Sequence, residues 1–161
     1  MILGIRHTGL VVSRMDRSLR FYRDILGLTV LVDYTQEGPY ISRLTGVRHA
    51  KVRMVKLGVT VQRRSRRRNL LQRTGLSGVI ELLEFQKPSR VPRLSSKTRG
   101  LSHIAFAVQD IDSVYRNRNT LSMRFIFPPQ LSPDGFAKVA YVRDPDGIVV
   151  ELVQIMATRN G

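Results

Sequence analysis

The chain has 161 residues, of which 42% are hydrophobic and 24% charged, as expected for one ordinary globular domain or for two small modules that share a core. It has no cysteine, which excludes disulfides and thiolate metal sites, and no apolar run approaches the roughly 20 residues of a membrane span. The net charge of +15 predicts anionic partners. The first residues lack the pattern of a signal peptide, so we expect a cytoplasmic protein.

The first half of the chain predicts a βαβββ order. Ile5–Val12 predicts a strand, and Asp16–Leu26 has the apolar spacing of a helix that Asp16 opens and Gly27 ends. Further strands are predicted at 28–34, 50–57 and 78–86. These elements make residues 1–87 a first module, interrupted by an insertion near 58–77 where strand patterning fails.

The insertion is strongly basic. Between Gly38 and Ile80 the sequence has eleven Lys or Arg and no acid, and residues 62–73 (QRRSRRRNLLQR) supply six of the arginines. This segment predicts either a solvated loop or a loop that recruits an anionic substrate. It lacks the interleaved aromatic residues that stack on bases, so we do not expect nucleic-acid binding.

The second half repeats the order of the first. Residues 88–100 contain prolines and serines without periodicity and predict a linker. A strand at 101–109, a helix at 112–121 and strands near 123–127, 137–143 and 148–155 then predict a second module over 101–161. The turn before the last strand is the sequence Asp144-Pro145-Asp146-Gly147. The whole chain thus predicts a single α+β domain of two βαβββ modules with a curved, open mixed sheet.

Each module carries the same marker residues. The first strand begins with a histidine, an aspartate follows nine residues later, and the last strand has one acid among apolar residues. The matched pairs are His7 and His103, Asp16 and Asp112, and Glu81 and Glu151. Such a repeat suggests two half-sites that meet to form one site.

The histidines and glutamates of the repeat predict a metal centre. Strand alternation places both glutamates on otherwise apolar faces, where a carboxylate is costly unless it is paired or bound to a metal. Gly9 and Ala105 would leave room beside the imidazoles. We therefore predict that His7, Glu81, His103 and Glu151 hold one divalent ion, with Zn, Ni, Co, Mn and Fe all compatible with these ligands.

The motifs resemble the vicinal oxygen chelate superfamily, which includes glyoxalase I, methylmalonyl-CoA epimerase, extradiol dioxygenases and bleomycin resistance proteins. The matching segments are His7-Thr8-Gly9-Leu10-Val11-Val12, Phe21-Tyr22-x-x-Ile25-Leu26-Gly27-Leu28, Ile80-Glu81-Leu82, His103-Ile104-Ala105-Phe106 and Asp144-Pro145-Asp146-Gly147 with Glu151-Leu152. The resemblance implies paired βαβββ modules around an open cavity, with the same four residues as metal ligands. It also implies a small-molecule substrate. The exposed strand edges of two short modules predict a homodimer, and related proteins often build shared sites across such pairs.

Three functions are compatible with this resemblance. The first is a metal-dependent lyase or isomerase of the glyoxalase I or epimerase type, in which Glu81 or Glu151 moves a proton at the metal. The family places polar glutathione-binding residues where Val11 and Phe85 stand, which argues against glutathione as the thiol carrier. The epimerase family usually has Gln at Glu81, and His49 is the nearest residue to the place of its second base.

The other two functions differ in chemistry. An extradiol dioxygenase would use Fe(II) with a tyrosine ten residues before the last glutamate, and Tyr141 stands in that place. A non-catalytic resistance or binding protein would sequester a ligand in the same cavity, although the complete set of four ligands argues against it. We take the lyase or isomerase as the leading hypothesis, with Glu81, Glu151 and Tyr141 as candidate catalytic residues.

Overall fold

The computed structural model describes residues 6–60, 76–87 and 103–156. The chain divides into two compact units, with the boundary between Pro92 and Arg93. The basic segment 62–73 and the predicted linker 88–100 lie outside the described residues. Within the described ranges, no helix has the length and apolar character needed to cross a bilayer.

The first unit is a four-stranded mixed sheet with helices between its strands. Its elements are β1 (Thr8–Val12), α1 (Met15–Leu19), a π-helical segment (Arg20–Ile25), β2 (Thr29–Glu37), α2 (Pro39–Thr45), β3 (Lys51–Thr60) and β4 (Leu76–Lys87). The strands lie in the order β1-β4-β3-β2. Strand β1 runs parallel to β4, and the other pairs are antiparallel.

The second unit repeats this topology. Its elements are β5 (Ile104–Ala107), α3 (Ile111–Arg116), β6 (Arg124–Phe125), β7 (Gln130–Leu131), β8 (Ala137–Arg143) and β9 (Val149–Ile155). The strands lie in the order β5-β9-β8-β6, with β7 also paired to β8, and β5 runs parallel to β9. The predicted fold class, α+β with a repeated module and open mixed sheets, is confirmed.

Several details of the predicted elements are wrong. Helix α2 was not predicted, although Gly38 (φ 103°) and Pro39 begin it and Gly46 (φ 70°) ends it. The strand predicted near 123–127 is limited to β6, and the chain pairs again only at β7, because the two prolines that follow Phe127 cannot donate to the ladder. The helix predicted at 112–121 ends at Arg116 and continues as turns.

The core of the first unit lies on one face of its sheet. Alternate residues of β1, β3 and β4 are buried there, as the period of two requires: Leu10, Val12, Val55, Leu57, Ile80 and Leu82. The opposite face is covered near α2 by a second apolar cluster that includes Ile41, Val52 and Met54, with Leu83 and Phe85 packed against it. Glu81 shares this second face, beyond the cluster.

A matched hydrogen bond ties the first helix of each unit to its last strand. The Glu84 carboxylate accepts a hydrogen bond of 3.0 Å from the Met15 backbone N–H at the start of α1. The Gln154 side-chain oxygen accepts one of 2.9 Å from the Ile111 N–H at the start of α3. The free N–H groups of a helix start need such acceptors. Glu84 and Gln154 lie three residues after Glu81 and Glu151, in the same strands. Each hydrogen bond therefore fixes the helix relative to the strand that carries the marker glutamate.

An ion pair on the exposed part of the sheet gives a pH-dependent prediction. Both nitrogens of the Arg53 fork donate to the Asp33 carboxylate, at 3.0 and 2.7 Å, and this hydrogen bonding lowers the pKa of Asp33. We expect Asp33→Asn to lower the free energy of unfolding by about 0.5 kcal/mol at pH 7, the value typical of an exposed pair. Because the pKa of Asp33 is lower in the folded state, its ionised carboxylate stabilises that state at pH values above the unfolded pKa of about 3.9. This stabilisation is lost as the pH falls through the folded-state pKa.

Urea unfolding at pH 7 and at pH 3 measures this difference. The gap between wild type and Asp33→Asn should shrink at the lower pH. In an Arg53→Gln background, Asp33→Asn should change stability little at either pH. An equal gap at both pH values in the wild-type background would contradict the assignment.

Candidate metal centre

The first histidine–glutamate pair is formed by the two parallel strands of the first unit. His7 immediately precedes β1, and Glu81 lies in β4 directly opposite Gly9. This register brings His7 Nε2 to 3.1 Å from Glu81 Oε2. The sequence places the acid and the imidazole far apart in the chain, and the parallel pairing makes them neighbours.

The second pair has the same construction. His103 immediately precedes β5, and Glu151 lies in β9 directly opposite Ala105. His103 Nε2 is 3.0 Å from Glu151 Oε2. Gly9 and Ala105, the small residues expected to leave room beside the imidazoles, are therefore the cross-strand neighbours of the two acids, and both are exposed.

The two glutamates differ in their surroundings. The Glu81 side chain is 11% exposed, and a carboxylate that is so buried needs partners. Its second oxygen, Oε1, lies 3.4 Å from Lys56 Nζ, so both oxygens of Glu81 have a partner. The Glu151 side chain is 19% exposed, and its described ion pair engages Oε2 alone. Glu151 is thus held less tightly than Glu81.

The two histidines present the same nitrogen to the carboxylates. In both units Nε2 faces the glutamate. His7 Nδ1 is buried and has no hydrogen-bond partner within the described part of the chain. The described polar contact of the His7 ring therefore runs through Nε2, the atom that would bind a metal.

Tyr141 lies beside the second pair. It is the cross-strand neighbour of Glu151, and its ring lies 5.5 Å from the His103 ring at an interplanar angle of 31°. The Phe127 ring packs on Tyr141 at the same centroid distance. These contacts place Tyr141 against the imidazole as a packing partner that restricts the orientation of His103.

The structure brings the four predicted ligands together as two pairs, one in each unit. Among residues 6–60, 76–87 and 103–156, no group of three or more His, Asp or Glu side chains comes together as a metal-binding cluster. His49 is exposed on the turn between α2 and β3 and belongs to neither pair.

The sequence reasoning missed Lys56. This residue is the cross-strand neighbour of Glu81 in the antiparallel pair of β3 and β4. The basic insertion separates Lys56 from Glu81 in the sequence, so no residue spacing indicates that the two side chains meet. Strand alternation within β3 could have placed Lys56 on the face opposite Val55 and Leu57, but the register between the strands comes from the structure alone.

A match to a family model along most of the chain shows the family. A family model described as the Glyoxalase/Bleomycin resistance protein/Dioxygenase superfamily matches residues 4–152. The chain belongs to this superfamily. The resemblance read from the histidine, glutamate and turn motifs is confirmed.

Two curated relatives within the superfamily carry similar names. The lactoylglutathione lyase of Pseudomonas aeruginosa is 32% identical over 161 residues, covering 96% of this chain and 83% of that protein. A probable lactoylglutathione lyase of Synechocystis sp. is 26% identical over 156 residues, covering 96% of this chain and 97% of that protein. Both of these relatives are named as lactoylglutathione lyases, the second as a probable one.

Solved structures in the superfamily support the fold. A glyoxalase family protein from Bacillus cereus superposes with a TM-score of 0.78 at 19% identity, covering 98% of this chain and 97% of that one. At this identity the likeness speaks for the fold alone.

Proposed function

We propose that the chain is a divalent-metal-dependent lyase of the glyoxalase I type. In this proposal His7, Glu81, His103 and Glu151 together hold one ion. The observation that carries the proposal is the matched histidine–glutamate pair in each unit, with Nε2–Oε2 distances of 3.1 and 3.0 Å. The relatives named lactoylglutathione lyase support the same reaction class.

The chemistry of the donor set fits a divalent ion. Two imidazoles and two carboxylates, with no cysteine in the chain, suit Zn, Ni, Co, Mn or Fe(II). In each unit an imidazole Nε2 and a carboxylate oxygen lie side by side, so that both are placed to donate to one ion.

The proposed substrate is a hemithioacetal, the adduct of a thiol and a 2-oxoaldehyde. Its isomer is a 2-hydroxyacyl thioester, the class to which a lactoyl thioester belongs, and both carry oxygens on adjacent carbons. A bound divalent ion would polarise these two oxygens. The two half-sites would position the substrate so that one carboxylate can reach its carbon-bound proton.

Glu151 is the proposed base. It takes the proton from the carbon that bears the sulfur and returns it to the neighbouring carbon. The hydroxyl proton moves from the oxygen on the first carbon to the oxygen on the second, so that the substrate isomerises without gain or loss of atoms. Two differences favour Glu151 over Glu81: it is more exposed, and its described ion pair leaves Oε1 available. Glu81, with a partner on each oxygen, serves as the fixed ligand.

The thiol of the substrate is proposed to be held differently from glutathione in glyoxalase I. Val11 is exposed and has no polar side-chain atom, and Phe85 packs against the apolar cluster beside α2. Neither can hydrogen-bond to a peptide-like carrier. Assays with 2-oxoaldehyde adducts of glutathione, coenzyme A and cysteine compare the candidate thiols directly.

Metal analysis tests the centre. Elemental mass spectrometry of protein purified without chelator should find about one equivalent of metal, and His7→Ala and Glu151→Ala should each lose most of it. His49→Ala is the matched control, because it removes an exposed imidazole outside both pairs.

The outcomes separate the competing functions. Protein that contains no metal and takes up none of Ni²⁺, Co²⁺, Zn²⁺, Mn²⁺ or Fe²⁺ is incompatible with the proposed mechanism. Iron as the bound metal, together with oxygen consumption on a catechol, would favour a dioxygenase. Equal loss of metal from His49→Ala would show that the assay reports misfolding.

A further inference from the structure

The repeat places different side chains opposite its two proposed acid ligands. Lys56 is the antiparallel neighbour of Glu81, and Tyr141 is that of Glu151. On the other side of each acid, the parallel neighbour is Gly9 or Ala105. The registers match, so Lys56 and Tyr141 occupy equivalent positions in the two units. The first half-site therefore has a cation where the second has an aromatic ring.

The Lys56 ammonium lies against the proposed metal ligand. Lys56 Nζ is 3.4 Å from Glu81 Oε1, while the other oxygen faces His7 Nε2. The Lys56 side chain is 23% exposed and rises from a strand between Val55 and Leu57, which are fully buried. Along the same face, the next pair of the ladder is apolar, Met54 opposite Leu83. The charge is thus fixed at the site by its backbone position.

The balance of charge changes when Glu81 binds a metal. In the metal-free pair, Glu81 compensates Lys56. A divalent ion that takes the same carboxylate adds positive charge next to the ammonium, and like charges at short range cost free energy. An anionic group on a bound ligand would restore the balance and could accept hydrogen bonds from the three donors of the ammonium.

We propose that Lys56 is a specificity residue that binds an anionic group of the substrate, such as a carboxylate, within two or three atoms of its metal-chelating oxygens. This inference rests on the proposed function, because it assumes a metal held by Glu81. The absence of any acid between Gly38 and Ile80, the segment that contains Lys56, agrees with an anionic ligand. Lysine suits this role as a compact charge on a flexible stem.

Two chelating probes that differ by one charge test the proposal. Acetohydroxamate and malonohydroxamate both chelate through two adjacent oxygens, and the second carries an additional carboxylate. Calorimetry on the metal-loaded protein gives the ratio of their dissociation constants. We expect Lys56→Met to reduce the preference for malonohydroxamate about tenfold, the effect of losing one charge-assisted hydrogen bond. Lys56→Arg should keep most of the preference.

Lys51→Met is the matched control. It removes the same charge from the same strand, but its ammonium pairs with Glu37 at 3.3 Å rather than with Glu81. The preference should remain as in wild type. Lys56→Gln is a second neutral variant, and thermal unfolding of each variant shows that it is folded.

A second readout needs no substrate analogue. Competition with a fluorescent chelator should show that Lys56→Met binds Ni²⁺ or Co²⁺ more tightly than wild type, because the neighbouring like charge is gone. An unchanged probe preference in both metal-loaded neutral variants would overturn the role of Lys56 and leave the proposed function intact. Failure of wild type and Lys56→Met to bind any metal would overturn the proposed function and this inference with it.

Discussion

Replacing Glu151 by glutamine should lower kcat for the hemithioacetal by about 10²–10⁴-fold, the usual contribution of a positioned general base. Glutamine keeps the size of the side chain and an oxygen for the metal, but it cannot accept the proton. Glu81→Gln removes the carboxylate that His7 and Lys56 hold. Its main effect should be weaker metal binding, and kcat at saturating metal should fall less than in Glu151→Gln.

Steady-state kinetics with the metal content of each sample separates these effects. Glu37→Gln is a suitable control, because Glu37 forms an exposed pair with Lys51 in the same unit. The assignment of the base is wrong if Glu151→Gln keeps its metal and its kcat. It is also wrong if metal-saturated Glu81→Gln loses more kcat than Glu151→Gln.

Two local patterns in the sequence single out the residues of each histidine–glutamate pair. Alternation assigns each glutamate to a face, and the repeat says which histidine accompanies it. The parallel pairing of the first and last strands, Gly9 opposite Glu81 and Ala105 opposite Glu151, then brings each pair to hydrogen-bonding distance. Predicting this contact requires knowing that the first and last strands of each unit pair in parallel, and the family resemblance implies that topology.

The turn before the last strand was also predictable from its chemistry. The Asp144 carboxylate accepts hydrogen bonds from the N–H groups of Asp146 and Ile148, and Gly147 has φ 87°. Aspartate and glycine are favoured at such positions for these two reasons, so local residue types determine the structure.

Helix α2 and the contact of Lys56 could not be predicted in the same way. Helix α2 has seven residues and buries one of them, Ile41, so it carries no measurable helical period. The neighbour of Glu81 in β3 depends on the register between two strands separated by the basic insertion. Register is a property of paired strands, and neither strand encodes it alone.

The π-helical segment differs from the single helix that the sequence predicts, and the packing of two aromatic residues accompanies this difference. The sequence predicts one helix over 16–26, and the structure divides it into α1 and the π-helical segment. Phe21 and Tyr22 are adjacent in sequence, yet they are 4% and 0% exposed and their rings meet edge to face at 5.0 Å. Such a pair buries large apolar area in one place.

Leu82→Ala should cause the largest loss of stability among these variants. Leu82 is fully buried at the centre of the sheet, between Leu10 of β1 and Val55 of β3, both of which are also buried. Removing its isobutyl group loses apolar burial and leaves a cavity that neighbouring strands fill only in part. We expect the free energy of unfolding to fall by about 2–5 kcal/mol, as for other buried Leu→Ala substitutions.

Leu44→Ala provides the same chemical change on the surface of the same unit. Leu44 is 66% exposed in α2, and alanine has the higher helix propensity, so stability should change by less than about 0.5 kcal/mol. Urea unfolding followed by circular dichroism measures both variants. A similar decrease in the free energy of unfolding in both variants would show that the burial of Leu82 does not determine the stability of the first unit.

The Leu82→Ala variant also allows stability and metal binding to be measured separately. Leu82 and Glu81 are adjacent in β4 and point to opposite faces, so Leu82→Ala leaves the contacts of Glu81 with His7 and Lys56 in place. At low temperature, the folded variant should therefore bind metal with nearly wild-type affinity while its unfolding midpoint is lowered. Metal saturation should raise that midpoint in both proteins, because an ion that binds the folded state stabilises it by mass action.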